Sequence, residues 1–172
     1  EAQNEDFPCQ LFQNNGDGTF TDVAESAGVE NLGFTKAVVW GDYNADRFPD
    51  LYVSNLLNPN RLYKNNGDGT FTDVAQKLGV AKPRRSFPSW FWDFDNDGNL
   101  DLFVAAYNAG IDELAAAYLE LEVGRKYLPR LYQGDGKGGF REVSREKNLA
   151  RPSAPMGSNF GDLDGDGYLD FY

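Results

Sequence analysis

The string Asn-Asn-Gly-Asp-Gly-Thr-Phe-Thr-Asp-Val-Ala occurs twice without change, at Asn14–Ala24 and Asn65–Ala75, and a worn copy runs from Gly134 to Ser144. A second string alternates with it, beginning at Trp40, Phe91 and Phe160, and each copy carries aspartates at fixed spacing. Phe20 to Phe71 and Asp42 to Asp93 are both 51 positions apart, whereas Phe71 to Phe140 and Asp93 to Asp162 are both 69. Two independent strings keeping one register define a structural unit, repeated along the chain. That constraint outranks any local propensity.

Each unit reads as four short strands: Lys36–Trp40, Leu51–Asn55, Arg61–Lys64 and Thr70–Val74 in the first complete copy. Asn-Gly and Asp-Gly before the fourth strand supply the positive φ that tight hairpin turns require. A helical turn follows, closed by Gly28, Gly79 or Asn148, residue types that tolerate the left-handed conformation. Four antiparallel strands at this period predict an all-β chain of β-propeller blades. The 172 residues divide as a half-blade over 1–33, a blade over 34–85, a blade over 86–153 and an incomplete blade over 154–172, one repeat region in all. A partial propeller is expected, and its two half-blades are candidates for self-association.

The second complete unit is longer by 18 residues, the difference between 69 and 51, and they fall between Tyr107 and Pro129. There Ile111, Leu114, Ala115, Tyr118 and Leu121 recur at helical spacing, with Gly124 as the expected stop. The spacing predicts a helical insertion over about 108–128, with Glu113, Glu120 and Glu122 outward.

The aspartates fall in three loops of one pattern: Asp42, Asn44, Asp46 and Asp50; Asp93, Asp95, Asp97 and Asp101; Asp162, Asp164, Asp166 and Asp170. Side-chain oxygens at positions 1, 3, 5 and 9 of a tight turn suit Ca²⁺, which takes six to eight hard oxygen ligands. Position 7 would add a backbone carbonyl, from Phe48, Asn99 or Tyr168. An EF-hand is excluded because position 12 is Val53 or Val104 where a bidentate Glu is needed. Dockerin-like loops fail for the same reason. The first loop departs from the others: Asn44 replaces a carboxylate, and Arg47 stands where glycine eases the turn. Three Ca²⁺ are expected, the first held most weakly, and they would bring the formal charge of −11 to −5.

Composition narrows the function. Histidine is absent, which removes the commonest general base and zinc ligand. Cys9 is the one cysteine, so no internal disulfide forms, and it reads as a small, partly buried apolar residue, with an intermolecular disulfide or lipid attachment as the alternative. The acidity argues against nucleic acid, and no apolar run is long enough to span a bilayer. Trp90, Trp92 and Tyr107 could stack on sugars, but Trp90 and Trp92 alternate along a strand, which favours packing between blades.

These units resemble FG-GAP/VCBS repeats, the calcium-loop blades of integrin α-chain propellers and of proteins related to cartilage acidic protein. Phe160-Gly161-Asp162 matches the "FG" portion and Trp40-Gly41-Asp42 nearly does, whereas the "GAP" tripeptide is missing. The resemblance covers nearly the whole chain apart from the insertion. It implies Ca²⁺ in the loop joining the first two strands of a blade, and a secreted or surface-displayed protein. The expected role is structural, adhesive or interactive, with a protein or glycan partner at the blade surface and no catalysis. A carbohydrate-binding module or glycan-active domain is the alternative.

Overall fold

The strands form because the repeat alternates β-branched and aromatic residues between turn signals, and they stack because those residues are apolar on both faces. The computed structural model describes residues 8–107 and 109–172. The chain runs β1 (Phe12–Asn14), β2 (Phe20–Asp22), α1 (Ala24–Ala27), β3 (Phe34–Gly41), β4 (Asp50–Leu56), β5 (Arg61–Asn65) and β6 (Phe71–Asp73). It continues through β7 (Ser86–Trp92), β8 (Asp101–Ala106), α2 (Ile111–Tyr118), β9 (Arg130–Gly134), β10 (Phe140–Glu142), β11 (Phe160–Gly161) and β12 (Asp170–Phe171). Two four-stranded antiparallel meanders result, β3-β4-β5-β6 and β7-β8-β9-β10, flanked by the hairpins β1-β2 and β11-β12. These are propeller-type blades, as the repeat predicts.

Antiparallel sheets often wet one face and read as alternating sequence, but a strand buried on both faces becomes a continuous apolar run. Strand β8 is of the second kind over residues 102–106, and β4 is buried on both faces too, although Ser54 and Asn55 follow its apolar Leu51, Tyr52 and Val53. Their successive residues project in opposite directions and feed different cores. Tyr52, on one face of β4, joins Leu102, Val104 and Tyr132 from the next sheet in the core between the two blades. Leu51 and Val53, on its other face, pack with Ala24, Ala27 and Leu11 of the first hairpin unit. Trp90, Trp92, Phe103 and Leu131 form a third core with Phe171 and Leu169 of the last hairpin. The β1-β2 hairpin covers less of its neighbour, and Val38 and Trp40 on β3 stay half exposed.

Gly41 shows how closely the blades approach. A Cβ there would lie 2.6 Å from the Phe91 ring of the next blade, so the glycine makes room for that aromatic. The tyrosine hydroxyls of this interface find partners on the connecting segment, Tyr52 donating to Val80 O at 2.8 Å and Tyr132 to Lys82 O at 2.9 Å.

The helical turns after the fourth strands close as expected, with Gly28, Gly79 and Asn148 at φ of 73°, 74° and 58°. The insertion differs from expectation in its ending. Helix α2 stops at Tyr118, and Glu120 takes the left-handed conformation at φ 59°. Gly124 does not end it but precedes a 3₁₀ turn, Arg125–Tyr127. Leu121 therefore lies beyond the helix. The chain turns early because Leu119, Glu120 and Leu121 already bond back to the carbonyls of Ala115, Ala117 and Ala116. Glu120 and Glu122 are exposed, while Glu113 is half-buried, its carboxylate accepting from Gly110 N at 2.8 Å at the start of α2.

Candidate metal centre

Each acidic loop joins the first and second strands of a sheet, and its aspartates first organise their own backbone. In the second loop Asp93 accepts from the amides of Asp97 at 3.0 Å and Gly98 at 2.9 Å, and Asp97 accepts from Asn99 N at 2.8 Å. The third repeats this, Asp162 accepting from Gly165, Asp166 and Gly167, and Asp166 from Tyr168 N. The first loop has the same skeleton, with Asp42 accepting from Asp46 N and Arg47 N, and Asp46 from Phe48 N. Short side chains that bond amides ahead of them stabilise tight turns.

The turn also needs two left-handed residues. Position 4 is Ala45, Asn96 or Gly165 and position 6 is Arg47, Gly98 or Gly167, all with positive φ. Arg47, at φ 73°, carries a Cβ where the other loops have glycine. Left-handed backbone costs an L-residue about 1–2 kcal/mol, partly offset by the entropy glycine loses on folding. Arg47→Gly should therefore stabilise the chain by about 0.5–1 kcal/mol. Chemical denaturation checks it, and an unchanged midpoint would contradict the strain.

Position 9 is where tertiary structure enters. Asp101 is fully buried, with Oδ1 accepting from Gly134 N on β9 and Oδ2 from Phe94 N in its own loop. Asp50 is also fully buried, and its Oδ1 accepts from Asn65 N on β5. The third strand of each blade thus holds the last acid of the loop. Burial pushes both carboxyls up to about 6, against those hydrogen bonds and aided by the neighbouring acids Asp95 and Asp97, or Asp46 and Asp42. Asp170 lies on β12, is exposed, and accepts from Leu163 N.

Carboxylate oxygens of Asp93, Asp95 and Asp101 lie within 4.8 Å of one another, as do those of Asp162, Asp164 and Asp166. Two ligands of one Ca²⁺, each about 2.4 Å from it, can be at most about 4.8 Å apart, so both groups fit such an ion. Asp95 Oδ1 is buried with no hydrogen-bond partner, and so is Asp50 Oδ2. An orphaned anionic oxygen is costly without a cation, and that supports the fit. Asp97 and Asp170 fall outside those triplets, and no such triplet forms in the first loop among the described residues.

Sequence reasoning missed two side chains. Gln133 on β9 donates to Asp95 Oδ2 at 2.7 Å, and Lys64 on β5 places its ammonium 3.4 Å from Asp46 Oδ2. The repeat offset aligns positions 64 and 133, but only the sheet shows that both lean over the loop. Trp90 and Trp92 are buried, packing tilted or edge-on against Phe103 and Phe171, so neither is a sugar platform. Tyr107 is half-buried against Phe87, at 5.0 Å between ring centroids. Cys9 is half-buried, its Sγ 3.0 Å from Thr35 Oγ1.

Four-stranded meanders with an acidic loop between their first two strands define a propeller-blade repeat protein with cation-competent hairpins. FG-GAP-like repeats match over residues 6–53, 42–104 and 93–172, and the chain belongs to that repeat family. It is 35% identical over 180 residues to cartilage acidic protein 1 of Xenopus tropicalis and 33% identical over 176 residues to that of Homo sapiens. Each alignment covers 98% of this chain, which spans about a quarter of those relatives' length. Among the described residues no helix is long and apolar enough to cross a membrane.

Proposed function

We propose that this chain is a calcium-stabilised extracellular repeat module with a structural, adhesive or protein-interaction role and no catalytic one. The observation that carries the reading is the second loop, where three aspartates converge and Asp95 keeps a buried oxygen with no partner. The residues that would hold the ion there are Asp93, Asp95, Asp97 and Asp101 with the carbonyl of Asn99. In the third loop they are Asp162, Asp164, Asp166 and Asp170 with the carbonyl of Tyr168. In the first, the weakest, they are Asp42, Asn44, Asp46 and Asp50 with the carbonyl of Phe48. Ligands drawn from one short turn suit an ion that locks a hairpin.

The ion supplies charge that lets the clustered acids remain ionised side by side. The chain's own residues aim those acids: loop amides fix positions 1 and 5, and in the first and second loops the third strand fixes position 9. Extracellular calcium, in the millimolar range, matches sites of weak to moderate affinity. Insertion residues Ile111, Tyr118, Leu119 and Leu121 are exposed, which supports a contact with a protein or glycan partner on that side of the blade. Isothermal titration of the chelator-stripped chain with CaCl₂ tests the reading. Uptake of at least two ions is expected, and no heat together with no calcium by elemental analysis would refute it.

A further inference from the structure

The first and second loops have the same turn, the same buried position-9 acid and the same third-strand amide beneath it, yet they differ in what lies over the acids. In the second loop the overlying side chain is Gln133, neutral, and it leaves Asp95 Oδ1 without a partner. In the first loop it is Lys64. Its Nζ lies 3.4 Å from Asp46 Oδ2, and Asn44 Nδ2 donates to that same oxygen at 2.9 Å. The other oxygen of Asp46 accepts from Phe48 N at 3.0 Å. Both oxygens of the central acid are therefore engaged by protein donors, and one donor carries a full positive charge. Position 1 does not distinguish the loops, since Asp42 accepts from Asp46 N and Arg47 N as Asp93 does from Asp97 N and Gly98 N; the difference lies at Asp46. Asp50 Oδ2 is the one acceptor left buried and unpaired in this loop.

We propose that Lys64 is a built-in cation of the first loop, which closes the first blade without a metal ion and keeps calcium out of that loop at concentrations that fill the other two. The proposal rests on the calcium reading of the second and third loops. An ammonium beside the central acid repels an incoming divalent ion and removes an anionic ligand from its reach, and affinity in such loops follows the count of available charged ligands. The turn of the first complete blade then needs no ion, whereas that of its neighbour gains its full stability only with calcium.

The test is Lys64→Gln, which copies the residue at position 133, with Lys64→Arg as the charge-retaining control. Calorimetric titration should count two ions in the wild type and in Lys64→Arg, and three in Lys64→Gln, a gain of about tenfold or more in first-loop affinity. In chelator, Lys64→Gln should melt about 2–4 °C below the wild type, and saturating calcium should abolish that difference. Three wild-type ions of equal affinity, or an unchanged count in Lys64→Gln, would overturn the proposal. Absence of calcium from every variant would refute the calcium reading instead. The chelator melts then judge Lys64 alone, a 2–4 °C loss supporting its role as a cation and identical curves overturning it.

Discussion

Saturating calcium should raise the melting temperature of this chain by about 10–20 °C at pH 7.5, and by much less at pH 5. The size follows from linkage: an ion at a hundred times its dissociation constant stabilises the folded state by about 2.7 kcal/mol, so two sites contribute about 5 kcal/mol. A chain of this length gains about 2–4 °C per kcal/mol. The pH dependence comes from Asp50 and Asp101, which burial lifts to about 6 in the metal-free fold. Their folded midpoints lie above the unfolded value of about 3.9, so the fold favours their neutral forms. That contribution is fully present below about pH 4 and is lost as pH rises through 6, at a cost of about 2–3 kcal/mol for each acid. Stability in chelator should therefore fall between pH 5 and pH 7.5. With calcium the slope should flatten or reverse, since the ion binds carboxylates and not carboxylic acids. Thermal melts at both pH values, in chelator and in CaCl₂, check this, and coincident curves at pH 7.5 would refute it.

Trp90→Ala should cost about 3–5 kcal/mol, the range for removing a large aromatic from a core. Trp90 is 7% exposed and sits at ring distances of 4.6 Å from Phe103, 5.7 Å from Phe171 and 6.0 Å from Trp92. It spans the junction between the second blade and the β11-β12 hairpin, so its loss also loosens the hairpin that bears the third acidic loop. Calcium uptake by that loop should weaken in parallel, while the first blade stays folded. Denaturant unfolding followed by intrinsic fluorescence and calcium titration measures both effects. A variant as stable as the wild type would mean that the tryptophan faces solvent, as a sugar platform would.

Strand positions were legible because the repeat prints each strand more than once. Arg61–Lys64 as expected and Arg61–Asn65 as found differ by one residue, since the Asn-Gly turn marks where pairing must stop. Loop conformation was legible too: Arg47 in place of Gly98 and Gly167 identifies a left-handed position. The end of α2 was not, because helical spacing from Ile111 to Leu121 continues past the point where the backbone reverses. Nor was the difference between Asp101 and Asp170, chemically identical at position 9. One is buried beneath a third strand and the other is not.

Repetition, turn residues and the 1-3-5-9 spacing of oxygens are local properties, and the chain alone determined them: the blades, the acidic turns and the class of ion those turns suit. Which acids are dry, which oxygens lack partners, and that Lys64 rather than a neutral side chain overhangs the first turn were decided only in three dimensions. Burial and electrostatic coupling depend on what a neighbouring strand brings within a few ångströms, and that neighbour is distant in the chain.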